Sequence, residues 1–472
     1  MAELKRSLNL FDAVMLVSGS MIGSGIFIVS ADMTRLLGSP FWVLMCWVIS
    51  GVITLFAALS YGELAGMMPQ AGGQFIYLKR AFGKRLSFVY GWTVFTVIQT
   101  GVIAAVAVAF ARYFGVFVPF FDEQHQVISF FNFSISTTQL LAVASVLFLT
   151  WINTQGVKNG KMIQAIFTST KLLALFGLIV VGFVYARSQG YWGNNIHLTF
   201  NGHLKGGLNN DSLIAAIGVA LIGSLFSSDA WNNVTFIAGE IKEPQKNIPL
   251  GLLIGVFIVT VIYILANVAY FMLLPALGNP DATSVIEKGL AYAQNDRVGT
   301  AAMFPIFGDI SASIMALLIV ISTFGCNNGL ILSGSRLFYS MAMDGLFFKS
   351  VATLNKFAVP SKALWLQAIW ASVLCLSGSY GSLLNYCTFA SLLFYIVTIA
   401  ALFYLRKKEP ETPRLYKAFG YPFIPALYIL IAGAICIDLL IYKPTDSFLG
   451  LLIMSMGIPV YYFFTKHAKK FS

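Results

Sequence analysis

Charged residues are scarce in this sequence of 472 residues. Asp, Glu, Lys and Arg make up only 10% of it, whereas 58% of the residues are hydrophobic. This composition lies far outside that of an ordinary soluble domain and predicts an all-α polytopic protein embedded in a lipid bilayer. A net charge of +11 would suggest nucleic acid as the partner of a soluble protein. Here we attribute it to basic residues kept on one side of the membrane, and we expect no nucleic-acid partner.

Signals for metals, nucleotides and disulfides are also missing. The four His and five Cys residues form no cluster with metal-ligand spacing, so we expect neither a metal nor another cofactor. All five cysteines lie in apolar segments and imply no disulfide framework. There is no phosphate-binding loop, no Arg-rich voltage sensor and no potassium filter motif. We therefore expect transport driven by gradients or exchange, and no enzyme.

Twelve apolar segments are long enough to span a bilayer, at about 20 residues each. They lie near residues 10–32, 41–66, 86–113, 136–154, 161–186, 211–239, 249–275, 308–340, 362–378, 382–405, 422–442 and 447–465. Spans 1–5 (about 10–186) and spans 6–10 (about 211–405) are candidate halves, followed by spans 11 and 12 (about 422–465), in one membrane domain over residues 1–472. Because five is odd, a repeat between the halves would be inverted.

Lys and Arg residues are distributed unevenly over the loops. Most of the 30 fall on the side of the N terminus, few fall on the other side, and Lys171 falls inside a span. The excess of basic residues marks the cytoplasmic side of a membrane protein. This distribution predicts that both termini are cytoplasmic and that the chain lies in the cell membrane. No removable signal peptide is evident before the first span.

Two spans are interrupted at the depth of the bilayer. Gly23-Ser24-Gly25 interrupts span 1, and a polar run from Ser227 to Asn233 interrupts span 6. Membrane helices must satisfy their backbone groups internally, so such breaks indicate either close helix packing or an unwound stretch that lines a cavity. Broken helices at matching places in two halves indicate the binding site of a transporter.

The first break suggests how an amino acid would be held. N–H groups at Gly23, Ser24 and Gly25 would point at a carboxylate, with help from the dipole of the half-helix that they open. Carbonyls left free before the break, such as that of Met21, would suit an ammonium group. These two features together predict recognition of an α-amino acid backbone.

The second break would complete the pocket. The carbonyls from Phe226 to Asp229 are candidate acceptors for the ammonium group, and Phe226, Trp231 and Asn232 are candidates for shaping the side-chain pocket. Asp229 is the strongest single candidate for a functional role, because a carboxylate at membrane depth is energetically costly. Three roles remain open for it: a cap on the second half-helix, a contact to the substrate ammonium, or proton transfer.

Two further charged residues are candidates for coupling. Lys171 lies ten residues beyond Lys161, about 15 Å into the bilayer. We expect it to face the bundle interior and tether span 5 to the carbonyls of span 1, where a sodium-coupled relative would hold a cation. The alternative is a lysine exposed to water in a cytoplasmic vestibule. Glu63 either pairs with a basic residue as an inward gate or is a structural ion-pair partner.

Three other carboxylates, Asp12, Glu240 and Asp438, lie near predicted helix ends. We expect interfacial capping or pairing for all three. The loops 114–135, 188–210 and 276–300 show no run that suggests a folded ectodomain.

Motifs along most of the chain carry a family likeness. They comprise Gly23-Ser24-Gly25-Ile26-Phe27, Met68-Pro69-Gln70-Ala71-Gly72-Gly73, Tyr77-Leu78, Ala81-Phe82-Gly83, Trp231-Asn232, Glu240, Pro244, Asn247-Ile248-Pro249, Arg336, Met341-Ala342, Asp344-Gly345, Arg414, Tyr416-Lys417 and Gly420-Tyr421-Pro422. The chain resembles the amino acid–polyamine–organocation (APC) superfamily, most closely the L-type amino acid transporter family and its bacterial alanine/serine/cysteine exchanger relatives.

The resemblance implies a LeuT-type fold, a 5+5 inverted repeat with spans 1 and 6 broken. It implies a substrate carboxylate held by Ser24 and Gly25, and ammonium contacts from carbonyls around Met21, Phe226 and Asp229. It also implies sodium-independent, obligatory exchange of neutral L-amino acids by alternating access, with Lys171 in place of a cation. Alternatives are a proton-coupled symporter that uses Asp229 or Glu63 and a sensor that does not transport.

The sequence departs from the family at two places. Phe226-Ser227-Ser228-Asp229-Ala230-Trp231 stands where relatives often carry Phe-Ala-Tyr-Gly-Gly-Trp, which bears on substrate preference. Eukaryotic members bind an ancillary glycoprotein through a cysteine between spans 3 and 4. The loop 114–135 has no cysteine, so we predict a transporter without an ancillary disulfide-linked subunit.

Overall fold

A computed structural model describes residues 4–130, 133–189, 191, 195, 213–377 and 380–468. In chain order its helices are α1 (Leu10–Met21), α2 (Val29–Leu37), α3 (Pro40–Met67), α4 (Gln74–Phe82), α5 (Lys84–Thr93), α6 (Gln99–Phe114), α7 (Thr137–Thr154), α8 (Val157–Gln189), α9 (Leu213–Ser227), α10 (Asn233–Phe236), α11 (Pro244–Leu273), α12 (Val285–Lys288), α13 (Val298–Phe307), α14 (Ile310–Met343), α15 (Ser361–Leu376), α16 (Tyr380–Lys408), α17 (Phe423–Tyr442) and α18 (Pro444–Ala468). A π-helical turn, Val94–Ile98, joins α5 to α6, and short 3-10 turns lie at Gly25–Phe27, Ala238–Glu240, Gln294–Asp296 and Lys349–Val351.

Within the described residues, nine helices are long and apolar enough to cross a membrane. The predicted segments coincide with helices, as span 2, predicted near 41–66, does with α3. Side chains that stay apolar on the outer surface, such as Leu173 at 72% exposure and Phe423 at 80%, would be an aggregation hazard in water. They suit a surface in contact with hydrocarbon. The chain is a multi-pass membrane protein.

The two interrupted spans are broken in the structure. Span 1 is divided into α1 and α2, and span 6 into α9 and α10, with non-helical residues between the parts. Leu10–Met21 and Leu213–Ser227 are each too short to cross a bilayer alone. Residues at both breaks, such as Ser24 and Ser228, are buried, so the breaks lie inside the bundle.

The prediction of an all-α chain is wrong in one detail. In the predicted loop 114–135, β1 (Gln126–Phe130) and β2 (Phe133–Ser136) form an antiparallel hairpin. Val127 and Ile128 favour extended backbone, but short runs of apolar and polar residues mixed together give no clear alternation in this loop. The loop 276–300 contains only short turns of helix and the start of α13, and most of 188–210 lies outside the described residues.

Close helix packing surrounds the breaks. α1 and α3 both pack along α11. A Cβ atom on Gly51 of α3 would lie 2.2 Å from the side chain of Thr260 on α11, so only glycine permits this approach. Small residues at such crossings let helix backbones come together where no hydrophobic driving force separates helix from lipid.

Candidate functional site

The two helix breaks lie directly against each other. A Cβ atom on Gly25 would meet the hydroxyl oxygen of Ser227 at 2.2 Å, so the absence of a side chain lets the breaks touch. The Tyr263 hydroxyl of α11 lies 3.1 Å from the carbonyl oxygen of Met21 and 3.0 Å from that of Ser227. One side chain therefore joins the end of α1 to the end of α9.

The first break leaves backbone N–H groups without partners. After α1, Ile22 has extended backbone, and the following 3-10 turn is closed by bonds from Phe27 N to Ser24 O and from Ile28 N to Gly25 O, both 3.0 Å. In the described part of the chain, no acceptor takes the N–H groups of Gly23, Ser24 or Gly25. Ser24 is buried. Buried N–H groups at the start of a helical segment form a place for an anion.

The carbonyl groups of the first break mostly have donors already. Tyr263 reaches Met21 O, the Cys326 thiol lies 3.0 Å from Ser20 O, and the Ser322 hydroxyl lies 3.1 Å from Ile22 O and 3.0 Å from Gly23 O. A carbonyl oxygen has two lone pairs, so Met21 O retains one acceptor position. The predicted ammonium contact at Met21 would share its oxygen with Tyr263.

Lys171 of α8 lies beneath the first break. Its ammonium nitrogen donates to the carbonyls of Gly19 and Ile22 at 2.6 Å each and to the carbonyl of Ser322 on α14 at 3.3 Å. The residue is 2% exposed, which does not support the alternative of a water-exposed lysine. Its positive charge sits at the C-terminal end of α1, where the helix dipole is negative. Its role in place of a transported cation stays a prediction.

The second break turns sharply at Ala230. This residue has a left-handed backbone (φ 66°), between the last bonds of α9 and the start of α10. The carbonyl of Phe226 accepts from Asp229 N at 3.1 Å, and that of Ser227 accepts from Tyr263. Each of these oxygens keeps one lone pair for a further donor.

Asp229 does not cap the second half-helix. α10 begins at Asn233 with Asn232 as its N-cap and has no side-chain cap hydrogen bond. Instead, the Tyr395 hydroxyl of α16 donates to the Asp229 carboxylate at 2.5 Å. The structure therefore leaves the other two roles, a substrate contact and proton transfer. Sequence reasoning missed Tyr395, since nothing distinguishes it from the other 19 of the 20 tyrosines.

Two small cavities meet at Asp229. Their shared lining is Asp229, Ser391 and Tyr395. The first cavity is also bordered by Gln74, Tyr90, Gln99, Asn232 and Asn233, and the second by Thr54, Trp231, Thr388 and Tyr428. Both linings mix polar groups with apolar side chains, as a binding site for a small polar molecule requires.

Of the three residues predicted to shape the side-chain pocket, Trp231 and Asn232 line the cavities and Phe226 does not. Trp231 is buried, with its ring 4.8 Å from that of Tyr61 and 5.2 Å from that of Tyr395. The Asn232 amide donates to Gln74 Oε1 at 3.2 Å. Phe226 borders neither cavity at the break.

Glu63 lies away from the breaks in an ion-pair cluster. Its carboxylate is fully buried, 2.5 Å from Arg406 at the end of α16 and 3.1 Å from Arg414. The Ala418 N–H also donates to it at 2.6 Å. These contacts fix the segment after α16 against α3, as expected of a structural ion-pair partner. A gating role is not excluded by them and stays a prediction.

Interfacial capping or pairing was predicted for three further carboxylates, Asp12, Glu240 and Asp438, and the structure gives a different result for each. Asp12 forms a capping box with Asn9, as predicted. Glu240 pairs with Arg336 at 2.9 Å, which confirms the pairing, but both side chains are fully buried, so the predicted interfacial position is wrong. Asp438 forms no ion pair in the described part of the chain, and its Oδ2 atom has no hydrogen-bond partner there, so the predicted pairing is not found.

The segments that flank the two broken spans meet at the end of the bundle where α1 begins. At the N-terminal end, Ser7 N and Leu8 N donate to Glu240 O, and Lys242 N donates to Leu8 O, which ties the two broken spans together. A further cavity is bordered by Ile28, just beyond the first break, and by Tyr113 and Arg297 among others. Apposed helix breaks inside a bundle of apolar, membrane-spanning helices are typical of the binding site of a membrane transporter for a small solute.

Comparison with known proteins identifies the kind of transporter. The family model described as amino acid permease matches residues 8–461. The chain therefore belongs to the amino acid permease family of the APC superfamily, and it is an amino acid transporter. The resemblance inferred from the motifs is confirmed.

Several curated relatives match nearly the whole chain. Large neutral amino acids transporter small subunit 2 of Mus musculus is 30% identical over 467 residues, covering 97% of this chain and 81% of the relative. The b(0,+)-type amino acid transporter 1 of Homo sapiens is 29% identical, with 99% and 89% covered. The cystine/glutamate transporter of Homo sapiens is 29% identical, with 99% and 87% covered. The name "small subunit" gives no support to the prediction that this chain works without a partner subunit.

Proposed function

We propose that this protein exchanges neutral L-amino acids across the cell membrane by alternating access, without sodium. The observation that carries the proposal is the buried Lys171 ammonium, held by the carbonyl oxygens of Gly19 in α1, Ile22 directly after it and Ser322 in α14. A fixed charge in this position makes a co-transported cation unnecessary. Relatives named as amino acid transporters at about 30% identity support the substrate class.

The substrate backbone would bind between the two breaks. The unpaired N–H groups of Gly23, Ser24 and Gly25 would hold the carboxylate. The carbonyls of Met21 and of Phe226 to Asp229 would accept from the ammonium group, beside the donors that they already have.

The pocket for the substrate side chain would lie at Asp229. Trp231 and Asn232 would form its walls, and Phe226 would take part only after a movement of α9, since it borders neither cavity in this state. Tyr395 would release the Asp229 carboxylate when a donor on the substrate arrives.

The proposed topology has twelve crossings in one domain over residues 1–472. Spans 1–5 and 6–10 would form a LeuT-type inverted repeat, with both termini in the cytoplasm. The proposal is supported by the matching breaks, first in each half, and by the excess of basic residues on one side. The lack of a cysteine in residues 114–135 is consistent with a chain that functions without a disulfide-linked subunit.

Exchange can be tested with purified protein in liposomes. Entry of labelled neutral amino acids is measured with and without an unlabelled internal pool, in sodium buffer and in sodium-free buffer. We expect entry that requires the pool and is insensitive to sodium. Entry into empty vesicles that depends on a sodium gradient would overturn the proposal.

Proton-coupled symport through Asp229 is a second candidate. The observation that favours it is that Asp229 has a hydroxyl partner, Tyr395, and no cation in any ion pair of the described residues. Symport requires that an inward proton gradient drives uptake into empty vesicles and that this uptake is abolished in Asp229→Asn. If a proton gradient has no effect on empty vesicles, exchange is retained.

A further inference from the structure

A cavity separate from the helix breaks lies at the end of the bundle where α15 begins. It is enclosed by the end of α7, the first turns of α15 and the connecting segment 348–357. We call it the α7–α15 pocket and define it by Gln155, Asn355, Lys356, Lys362, Trp365 and Ile369, which are among its lining residues. Its residues take no part in the proposed exchange mechanism.

The wall formed by the connecting segment is held in place by hydrogen bonds. The Asn355 amide donates to Thr154 O at the end of α7 at 2.8 Å, and its Oδ1 atom accepts from the N–H groups of Phe357 and Val359 at 2.9 and 3.2 Å. Asn355 N also donates to Val359 O at 2.9 Å. The pocket is therefore formed by the fold itself.

The pocket carries positive charge without a counter-charge. Lys356 and Lys362 both line it, and no Asp or Glu does. Neither lysine belongs to any ion pair in the described part of the chain. The start of α15 adds the positive end of a helix dipole beside Lys362. A ligand in this pocket should be an anion.

One wall of the pocket is apolar and continues onto the lipid-facing surface. Trp365 follows Lys362 by three residues, and Ile369 follows Trp365 by four, so the three side chains share one face of α15. Trp365 is 38% exposed and Ile369 58% exposed. Tryptophan is enriched at the level of lipid headgroups. The face thus runs from a charge, through an aromatic ring, to an aliphatic chain.

We propose that the α7–α15 pocket binds an anionic phospholipid. The phosphate lies between Lys356 and Lys362, and an acyl chain follows Trp365 and Ile369 toward the hydrocarbon. A free phosphate ion would use the lysines but leave the apolar wall uncovered, so the amphipathic shape favours a lipid. The bound lipid braces α7 against α15 from the side on which basic loops gather.

The test measures lipid retention by the full-length protein in detergent, using native mass spectrometry. The protein is titrated with phosphatidylglycerol and, separately, with phosphatidylcholine. The variant pair Lys356→Gln/Lys362→Gln is compared with the matched control Lys407→Gln/Lys417→Gln, which removes two exposed lysines elsewhere on the same side. The unsubstituted protein should retain more phosphatidylglycerol than phosphatidylcholine. In the pocket variant the ratio of the two retained lipids should fall roughly tenfold.

Each outcome decides the proposal. Loss of preference in the pocket variant alone supports it, whereas equal losses in both variants would show a general effect of surface charge and overturn it. No preference in the unsubstituted protein also overturns it. Inorganic phosphate is added in a separate arm: if it displaces the lipid at equal concentration, the site is one for a soluble anion and the lipid proposal fails.

Discussion

Replacement of Lys171 by alanine tests how the first break is held. The ammonium makes two hydrogen bonds of 2.6 Å, to Gly19 O and Ile22 O at the first break, and one of 3.3 Å to Ser322 O in α14. Hydrogen bonds from a charged donor contribute roughly 1.5–3 kcal/mol each, and burial of the ammonium costs several kcal/mol in return. We therefore expect a net loss of about 2 kcal/mol for the conformation that Lys171 holds, a change of roughly 30-fold in its population.

The effect should fall on the transport cycle more than on binding. In proteoliposomes, the exchange rate of Lys171→Ala should be lower by roughly tenfold or more, because the conformation that Lys171 holds is less populated. The shift of the thermal unfolding midpoint by substrate should stay close to that of the unsubstituted protein. Because the emptied site keeps its carbonyl oxygens, sodium should restore part of the rate in this variant only.

A matched control is Lys161→Ala on the same helix. Lys161 makes a partly exposed ion pair with Asp12 at 3.2 Å, which contributes little. Exchange by Lys171→Ala at the rate of the unsubstituted protein, or an equal loss in Lys161→Ala, would refute the reasoning.

Three further substitutions test other contacts. Gly25→Ala places a Cβ atom 2.2 Å from Ser227 Oγ; it should force the breaks apart and abolish thermal stabilisation by substrate. Tyr395→Phe removes the donor to Asp229 and should slow exchange, and the same substitution in an Asp229→Asn background should have a smaller effect in a double-mutant cycle. Glu63→Gln removes the buried counter-charge of two arginines and should lower the free energy of unfolding by about 3–5 kcal/mol, measured by thermal or denaturant unfolding.

Each of these variants has a control in the chain. Gly177→Ala should be neutral, because nothing lies within 4 Å of its added Cβ. Tyr404→Phe alters a half-exposed tyrosine of the same helix and should leave exchange unchanged. Arg80→Gln breaks the exposed ion pair with Glu409 and should cost about 1 kcal/mol or less. Equal effects in a variant and its control would contradict the corresponding assignment.

The Arg80–Glu409 pair also gives a pH prediction outside the spans. The hydrogen bond from Arg80 lowers the pKa of the Glu409 carboxyl below its ordinary value. A lowered pKa in the folded state means that the stabilisation is present at neutral pH and is lost as pH falls through that pKa. The small difference in unfolding midpoint between Arg80→Gln and the unsubstituted protein should therefore disappear in acid, and a difference that grows in acid would contradict this assignment.

The sequence predicted the helical segments, but it did not identify the contact partners of particular residues. The depth of Lys171 in the bilayer could be predicted because a helix advances by a fixed rise per residue. In the structure its ammonium contacts the carbonyls of the first break, as predicted. The partner of Asp229 could not be predicted, because Asp229 and Tyr395 are 166 positions apart. Capping, one of the three roles left open for Asp229, was suggested by local sequence, whereas in the structure Tyr395 donates to its carboxylate. The hairpin at β1 and β2 was missed because its apolar and aromatic residues do not alternate regularly with polar ones in the loop 114–135.

The sequence by itself determined the helical segments, the two breaks and the family. These follow from local physics, since a backbone in lipid must satisfy its own hydrogen bonds and a glycine or polar run at bilayer depth disturbs that pattern. Only the tertiary structure decided which groups meet at the site: Tyr263 between the two breaks, Tyr395 on Asp229, and the arginines around Glu63. These contacts depend on how helices distant in the chain pack and face each other. In helices that are apolar all round, hydrophobic periodicity does not specify that orientation.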